Sequence, residues 1–292
     1  MTAARALLGA GLLLLTATAS HVAAGDRLVV SWQPSKPRVG DAALLRLRGA
    51  PDGATVEGMM DGRPLVFFPY AGGHAALVGF DLEQKPGAKA WQLVVLVPGR
   101  DPLPAKGTLT LRRRDFPVQR LKLPTAMVDL DPETERRAVA EGERLQALYR
   151  TVTSERLWHG AFTRPVGGLE PGSGFGSRRI INGQPRMPHG GADYAAPTGT
   201  PVVAVNAGRV ALVADYFFPG RLIALDHGLG LYTLYFHLDS TVVGQGDLVE
   251  RGQTIGTVGA TGRATGPHLH FGAQIGGARI DPATLLALRA RD

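Results

Sequence analysis

The chain has 292 residues, of which 44% are hydrophobic and 20% charged, with a formal net charge of +7 and no cysteine. That length accommodates about two domains with proper cores, and the cysteine count excludes disulfides and thiolate metal ligands. The basic balance favours anionic partners.

Residues 1–24 read as a secretory signal peptide. Arg5 is the charged start, Ala6 to Leu15 the apolar run, and Val22-Ala23-Ala24 a small-residue cleavage site before Gly25, with Ala17-Thr18-Ala19 as a competing site. The run is too short for a comfortable membrane span, and a retained anchor is the other reading. The mature chain is therefore expected across the cytoplasmic membrane, in the periplasm or cell envelope. Removing residues 1–24 takes away only Arg5 and leaves a net charge of +6.

From Asp26 to Arg114 short apolar runs such as Leu28-Val29-Val30, Leu44-Leu45-Arg46-Leu47, Leu65-Val66-Phe67-Phe68 and Trp91-Gln92-Leu93-Val94 alternate with breakers such as Asp52-Gly53, Asp61-Gly62 and Pro86-Gly87. Six or seven strands at this spacing predict an immunoglobulin-like β-sandwich over 25–124. It carries no catalytic cluster, which leaves positioning, contact with a surrounding polymer, partner contact or a bare spacer as its role. Arg112-Arg113-Arg114 reads as a solvated strand end.

A helical linker is predicted over 125–160. Asp131 caps it, Pro132 sits in the first turn and Glu133 favours the dipole. The run continues to Arg156, weakened by Gly142, with Val139, Leu145, Leu148 and Val152 roughly on one face for packing against a domain. From Phe162 onward strands and glycine turns dominate. Gly252-Gln253-Thr254-Ile255-Gly256 onward to Gly262 lacks the Gly-Lys-Ser/Thr ending of a phosphate loop and instead turns short strands.

The informative residues follow. In Pro267-His268-Leu269-His270-Phe271 a strand would project both imidazoles to one side and send Leu269 into a core. In His189-Gly190-Gly191-Ala192-Asp193 the glycines and flanking prolines oppose a helix, so this is a loop leading into a strand. With His237 in Leu234-Tyr235-Phe236-His237-Leu238, these residues offer two imidazoles and a carboxylate for one zinc ion, and two further imidazoles to move protons.

Four ordered segments, Phe175-Gly176-Ser177-Arg178, His189 through Val202, Tyr235-Phe236-His237-Leu238 and Thr261 through His270, resemble the lysostaphin/LytM-type zinc metallopeptidases, which cut peptide bonds in bacterial cell walls. The resemblance covers about residues 160 to 285. It implies a compact antiparallel all-β LytM-type peptidase domain at 161–292, one Zn2+ per chain, His189, Asp193 and His270 as ligands, and His237 and His268 as the non-ligand catalytic pair. An exported zinc metalloendopeptidase acting on peptidoglycan cross-links or stem peptides is the implied function. The implied partners are peptidoglycan peptides; the net charge of an exported chain points to anionic wall polymers rather than nucleic acid, the two-domain architecture to a regulatory protein partner, and a monomer is expected.

Zinc held by two neutral imidazoles and a carboxylate lowers the pKa of its water toward roughly 7. No Glu adjoins the ligand histidines, so His237 or His268 is the natural proton acceptor and the other a donor. The alternative is a wall-binding activator or adaptor of another hydrolase, its zinc structural; an activator need not keep His237 and His268. Tyr235, two before His237, contacts substrate or packs. Arg178 binds substrate carboxylates or solvates a loop. His227 reads as a turn residue held by Asp226 or backbone, and His74 and His159 as solvent-facing bystanders.

Overall fold

The computed structural model describes residues 28–122, 128–169 and 174–288. The predicted signal segment lies outside the described residues. Eight strands open the described chain: β1 (Val29–Gln33), β2 (Ala42–Arg48), β3 (Thr55–Met60), β4 (Arg63–Leu65), β5 (Phe67–Tyr70), β6 (Gly73–Gly79), β7 (Gly87–Leu96) and β8 (Leu103–Leu111). They form two four-stranded antiparallel sheets, ordered β1-β2-β6-β5 and β4-β3-β7-β8. The sheets face each other: Leu47 of one packs with Val56, Leu93 and Val95 of the other, and Ala43 and Val78 pack with Met60, Leu109 and Leu111.

The β2 sequence Ala42-Ala43-Leu44-Leu45 is apolar at successive positions because the first sheet is buried on both faces. Odd residues fill the space between the two sheets. Even residues such as Ala42 and Leu44 join Phe68, Tyr70, Leu77, Trp158, Leu231, Ile275 and Leu285 in one cluster that runs into the C-terminal half. The contact is tight, since a Cβ on Gly79 would lie 2.9 Å from Ile275 Cβ. Charge reinforces it: Arg279 makes paired bonds to Asp81 at 2.9 and 3.1 Å and reaches Glu83 at 2.6 Å. Arg112 and Arg113 are solvent-exposed as expected. Arg114 departs from that reading, because its guanidinium meets Asp281 at 2.6 Å.

Beyond the double sheet come β9 (Val118–Leu121), α1 (Pro132–Arg150), β10 (Arg178–Ile181) and β11 (Gln184–Pro185). Asp131 caps α1 by accepting from the N–H groups of Glu133 and Thr134, as its place before Pro132 and Glu133 requires. The helix stops at Arg150 rather than Arg156. Its buried face carries Glu141, Leu145 and Tyr149; Leu145 and Tyr149 pack with Leu148 on Tyr216, Leu222 and Leu234. Val139 is 56% exposed, so the buried stripe is rotated from the one the apolar residues alone suggest. The reason is Glu141: its carboxylate bonds Phe217 N–H at 2.7 Å and draws a polar position inward.

The remaining strands are β12 (Gly191–Ala195), β13 (Pro201–Val203), β14 (Gly208–Tyr216), β15 (Gly220–Asp226), β16 (Leu231–Thr241), β17 (Leu248–Val249), β18 (Thr254–Val258), β19 (His268–Ile275) and β20 (Ala278–Ile280), followed by a short helix α2 (Pro282–Leu286). They build one nine-stranded sheet with the path β12-β19-β16-β15-β14-β17, while β18 joins β13 to β16 and β20 borders β19. A separate small sheet, β11-β10-β9, joins the halves, because β9 pairs in parallel with β10. This small sheet walls one side of the groove above β12 and β19.

Candidate metal centre and active-site groove

Strand pairing delivers the first two groups. β12 runs antiparallel to β19 with Asp193 opposite His270 and Ala195 opposite His268, so the carboxylate stands beside one imidazole and one step from the other. Leu269, between the two histidines, is fully buried, as alternation demands. His189 arrives from the loop before β12. Its backbone is bonded in both directions to the Phe175–Ser177 turn, His189 N–H to Ser177 O at 3.0 Å and Gly176 N–H to His189 O at 2.8 Å. Gly191 leaves the ring of His270 its space, since a Cβ there would lie 2.7 Å from His270 Nε2.

Three atoms converge. His189 Nε2 lies 2.8 Å from His270 Nδ1, Asp193 Oδ1 lies 3.0 Å from His189 Nε2 and 2.9 Å from His270 Nδ1. Hydrogen bonds cannot satisfy this triangle: each ring nitrogen offers one proton or one lone pair, and if both donate to Asp193 they confront each other as donors. A cation at the centre accepts all three lone pairs. Two imidazole nitrogens and one carboxylate oxygen are a donor set suited to zinc, with a position left for water. Burial raises the Asp193 carboxyl, but hydrogen bonds from His189 and His270 outweigh it and hold the group far below the usual carboxylate range. Burial pushes the His270 imidazole down, toward the neutral form that a ligand requires.

The other two imidazoles stand beside this triangle. His237 and His268 rings are 4.7 Å apart between centroids. His237 Nδ1 meets Thr261 O at 2.8 Å, and His268 Nδ1 meets Gly266 O at 2.8 Å. A carbonyl only accepts, so each Nδ1 carries the proton and each Nε2 presents a lone pair. Burial, followed by the nearby His270, lowers the His237 pKa to about 4.

Simple alternation would have aimed His237 away from the site. Phe236 lies opposite His270 and stacks on its ring at 5.3 Å and 12°, so Phe236 already occupies the site face. His237 adopts φ 63°, within a stretch where the β15–β16 and β16–β18 registers both shift. This bulge turns the imidazole back toward its partners. Two glycines lock it: a Cβ on Gly262 would sit 2.2 Å from Gly220 N, and one on Gly220 2.3 Å from Thr261 C. The Thr261 carbonyl that fixes His237 is therefore held by two backbones in close contact.

Tyr235 belongs to the core. It is fully buried, its hydroxyl accepts from Val205 N–H at 3.1 Å and contacts Thr233 at 3.2 Å, and the bulge breaks the parity that would have put it beside His237. Arg178 is exposed, and its neighbour Arg179 points inward instead, with Nη2 3.6 Å from Asp193 Oδ2. Period-two alternation along β10 explains the exchange. His227 is structural, held by Ala207 O and Thr233 Oγ1 at 2.7 Å each rather than by Asp226, and burial lowers its pKa to about 4. His159 is exposed, whereas His74 is half-buried on β6.

An inner cavity of about 330 Å3 contains the five polar residues together with Arg179 and Arg263. It opens into a wider groove of about 800 Å3 bordered by α1, Arg186 and Phe236. Arg179, Arg263 and Phe236 were not singled out as site residues by sequence. For Phe236 the in-register pairing with His270 was the missing signal; for Arg263, the contact between Gly220 and Gly262.

A β-sheet groove with a convergent His/Asp/His set and two flanking imidazoles holds the groups that metal-assisted hydrolysis uses. Residues 187–282 match the family model described as peptidase family M23. A Pseudomonas aeruginosa crystal structure ascribed to peptidase M23 is 31% identical, with a TM-score of 0.66, covering 86% of this chain and 95% of that one. The chain belongs to peptidase family M23. Among curated relatives, the peptidoglycan DD-endopeptidase ShyB of Vibrio cholerae is 44% identical over 101 residues, 34% of this chain and 24% of that protein. ShyC of the same organism, also described as a peptidoglycan DD-endopeptidase, is 40% identical over 128 residues, 43% of this chain and 29% of that protein. The matched stretch thus spans only about a quarter of the length of these curated relatives.

Proposed function

We propose that the protein is an exported zinc endopeptidase hydrolysing peptide bonds in peptidoglycan cross-links or stem peptides. The observation that carries this reading is the triangle of His189 Nε2, Asp193 Oδ1 and His270 Nδ1 with the free Nε2 atoms of His237 and His268 beside it. A zinc ion on that triangle would supply a water of pKa near roughly 7 and polarise the scissile carbonyl. His237 and His268 take the water's proton and return it to the leaving amine, each through Nε2 while Nδ1 stays on its carbonyl. The carbonyls of Thr261 and Gly266 fix ring orientation and stabilise the imidazolium that forms. Phe236 stacks on His270 and keeps that ligand ring in place.

The printed descriptions of the Vibrio cholerae relatives support peptidoglycan as substrate. The signal-like residues 1–24 support export to the periplasm or cell envelope, and the net charge supports anionic wall polymers as partners. We read residues 25–124 as an immunoglobulin-like sandwich; the strand orders β1-β2-β6-β5 and β4-β3-β7-β8 favour that topology. Residues 125–160 are then the helical linker and 161–292 the peptidase domain.

Zinc-loaded protein alone should release new amine groups from purified sacculi, and His237→Ala should release them far more slowly while retaining its metal. Activity only after adding a separate hydrolase would instead support the adaptor. Full hydrolysis in chelator, with zinc verified absent, would overturn the metal mechanism.

A further inference from the structure

A carboxylate on α1, outside the stretch that matches the peptidase family, is tied to His237 by a short run of bonds. Glu141 is buried and lies well before residues 187–282. Its Oε2 accepts from Phe217 N–H at 2.7 Å, and its Oε1 accepts from Arg137 Nε at 2.7 Å. Arg137, one helical turn earlier, donates through Nη2 to Asp215 O at 3.2 Å. Two side chains of one helix therefore grip the end of β14 and the first residue of the turn that follows it. A carboxylate is costly to bury unless it is paired and hydrogen-bonded, and charge-assisted bonds of this length hold their partners firmly.

That turn, Phe217-Phe218-Pro219, itself holds His237. Pro219 O accepts from the His237 backbone N–H at 2.8 Å. Gly220 comes next and presses on Thr261, where a Cβ would lie 2.3 Å from Thr261 C, and Arg221 N–H donates to Thr261 Oγ1 at 2.9 Å. Thr261 O is the partner of His237 Nδ1. Backbone and ring of His237 are thus both fixed by residues 217–221, whose first N–H is bonded to Glu141. His237 has φ 63°, a conformation that persists only where its surroundings hold it.

We propose that Glu141 is a positioning residue for His237, acting through the turn at 217–221. The carboxylate sets where the turn sits, and the turn sets the direction of the His237 Nε2 lone pair. The inference rests on the peptidase reading above. It makes α1 a working part of the active site rather than a spacer between domains. An imidazole aimed slightly off its target transfers protons less efficiently without losing substrate contacts made elsewhere in the groove, so the effect falls on kcat.

The test uses the zinc-loaded full chain and one cross-linked muropeptide, at a temperature below the melting transition of every variant. Glu141→Leu keeps the apolar stem without an acceptor, and should lower kcat by about tenfold while KM changes by less than about twofold and zinc content stays full. Glu141→Gln, whose carboxamide oxygen can still accept from Phe217 N–H, should recover most of the rate. Nuclear magnetic resonance of the imidazole groups reads the linkage without turnover. The His237 ring signals should shift or broaden in Glu141→Leu and return toward wild type in Glu141→Gln, while those of His227, held by Ala207 and Thr233, stay in place. Unchanged His237 signals in Glu141→Leu overturn the proposal, as do equal losses in the two variants, a rise in KM alone, or loss of zinc. If Glu141→Leu does not fold, Arg137→Ala carries the same measurement. Arg137 is exposed, and releasing Asp215 O should move the His237 signals in the same direction by less; no movement overturns the linkage. Wild type that holds zinc but cleaves no wall peptide removes the peptidase reading, and the resonance comparison still decides whether Glu141 aims His237.

Discussion

The N-terminal double sheet and the nine-stranded sheet use the same antiparallel pairing to different ends. In the former, the pairings β1–β2, β2–β6, β3–β7 and β7–β8 keep register throughout, and each residue faces where its parity sends it. The pairings around β16 slip on both sides, and His237 takes a left-handed conformation inside a strand. Asp61 and Ala71 also have positive φ, but in turns. Regular pairing suffices to build a core. A side chain needed at the wrong parity requires a bulge, and a non-glycine residue there implies that surrounding packing holds the strained conformation.

The largest effects should come from the irregular sheet. His189→Ala and His270→Ala should lose the metal and lower kcat/KM by about 10^4 or more, whereas His237→Ala should keep the metal and lose about 10^2 to 10^4; metal analysis with peptide turnover separates them. A full His270 variant and an empty His237 variant would invert the roles drawn here. Gly262→Ala should follow closely. Its φ of 69° and the 2.2 Å approach to Gly220 N leave no room for a methyl group, so activity should fall by about 10^2 with metal retained, through displacement of the Thr261 carbonyl. Metal loss without a change in turnover per bound zinc would show that the glycine contact does not aim His237.

Leu44→Ala tests whether the two regions are energetically one. Leu44 is 1% exposed in the shared cluster, and its truncation should cost about 2–5 kcal/mol. Thermal unfolding followed by tryptophan fluorescence and by loss of activity should shift together. Two separated transitions would divide the molecule where its core is continuous.

A smaller effect concerns pH. His227 has a folded pKa of about 4 against an ordinary value of 6.5, through burial. The unfolded chain therefore binds the proton first, so this contribution to stability is complete above pH 6.5 and is lost as pH falls toward 4. Its size is of order 3 kcal/mol at most, and His237 contributes in the same window because its folded pKa is also about 4. Denaturant melts of chelated protein should show stability rising with pH across this range, less steeply in His227→Gln. An identical slope in that variant would exclude His227 as a source. The smallest effect should be that of Arg178→Ala, within about 0.5 kcal/mol of wild type by melting and with unchanged turnover. A large loss of activity would make Arg178 a substrate contact.

Much of the site was legible in residue types and spacing. The His268-Leu269-His270 alternation needs only a strand, and β19 supplies it. The loop into β12 follows from Gly190-Gly191 and the flanking prolines. Asp131-Pro132-Glu133 announced the start of α1, although its buried face was not predictable, because Glu141 is drawn inward by the Phe217 amide in the distant turn between β14 and β15. For Tyr235 the packing alternative holds and for Arg178 the solvated one; choosing between such alternatives requires an anchor of known direction and an unbroken register. Neither is a local property.

What the sequence determined alone was therefore chemical and local: which donors exist, which segments extend or turn, where the chain is capped, and that thiols play no part. Only the tertiary structure decided which donors meet and which of two adjacent arginines faces inward. It also set the rotated face of α1 and joined the sheets through one core. The physical reason is that intrinsic backbone preference and apolar periodicity act over a few residues, whereas convergence of His189 with His270, or of Gly220 with Gly262, is set by pairing and packing between segments tens of residues apart.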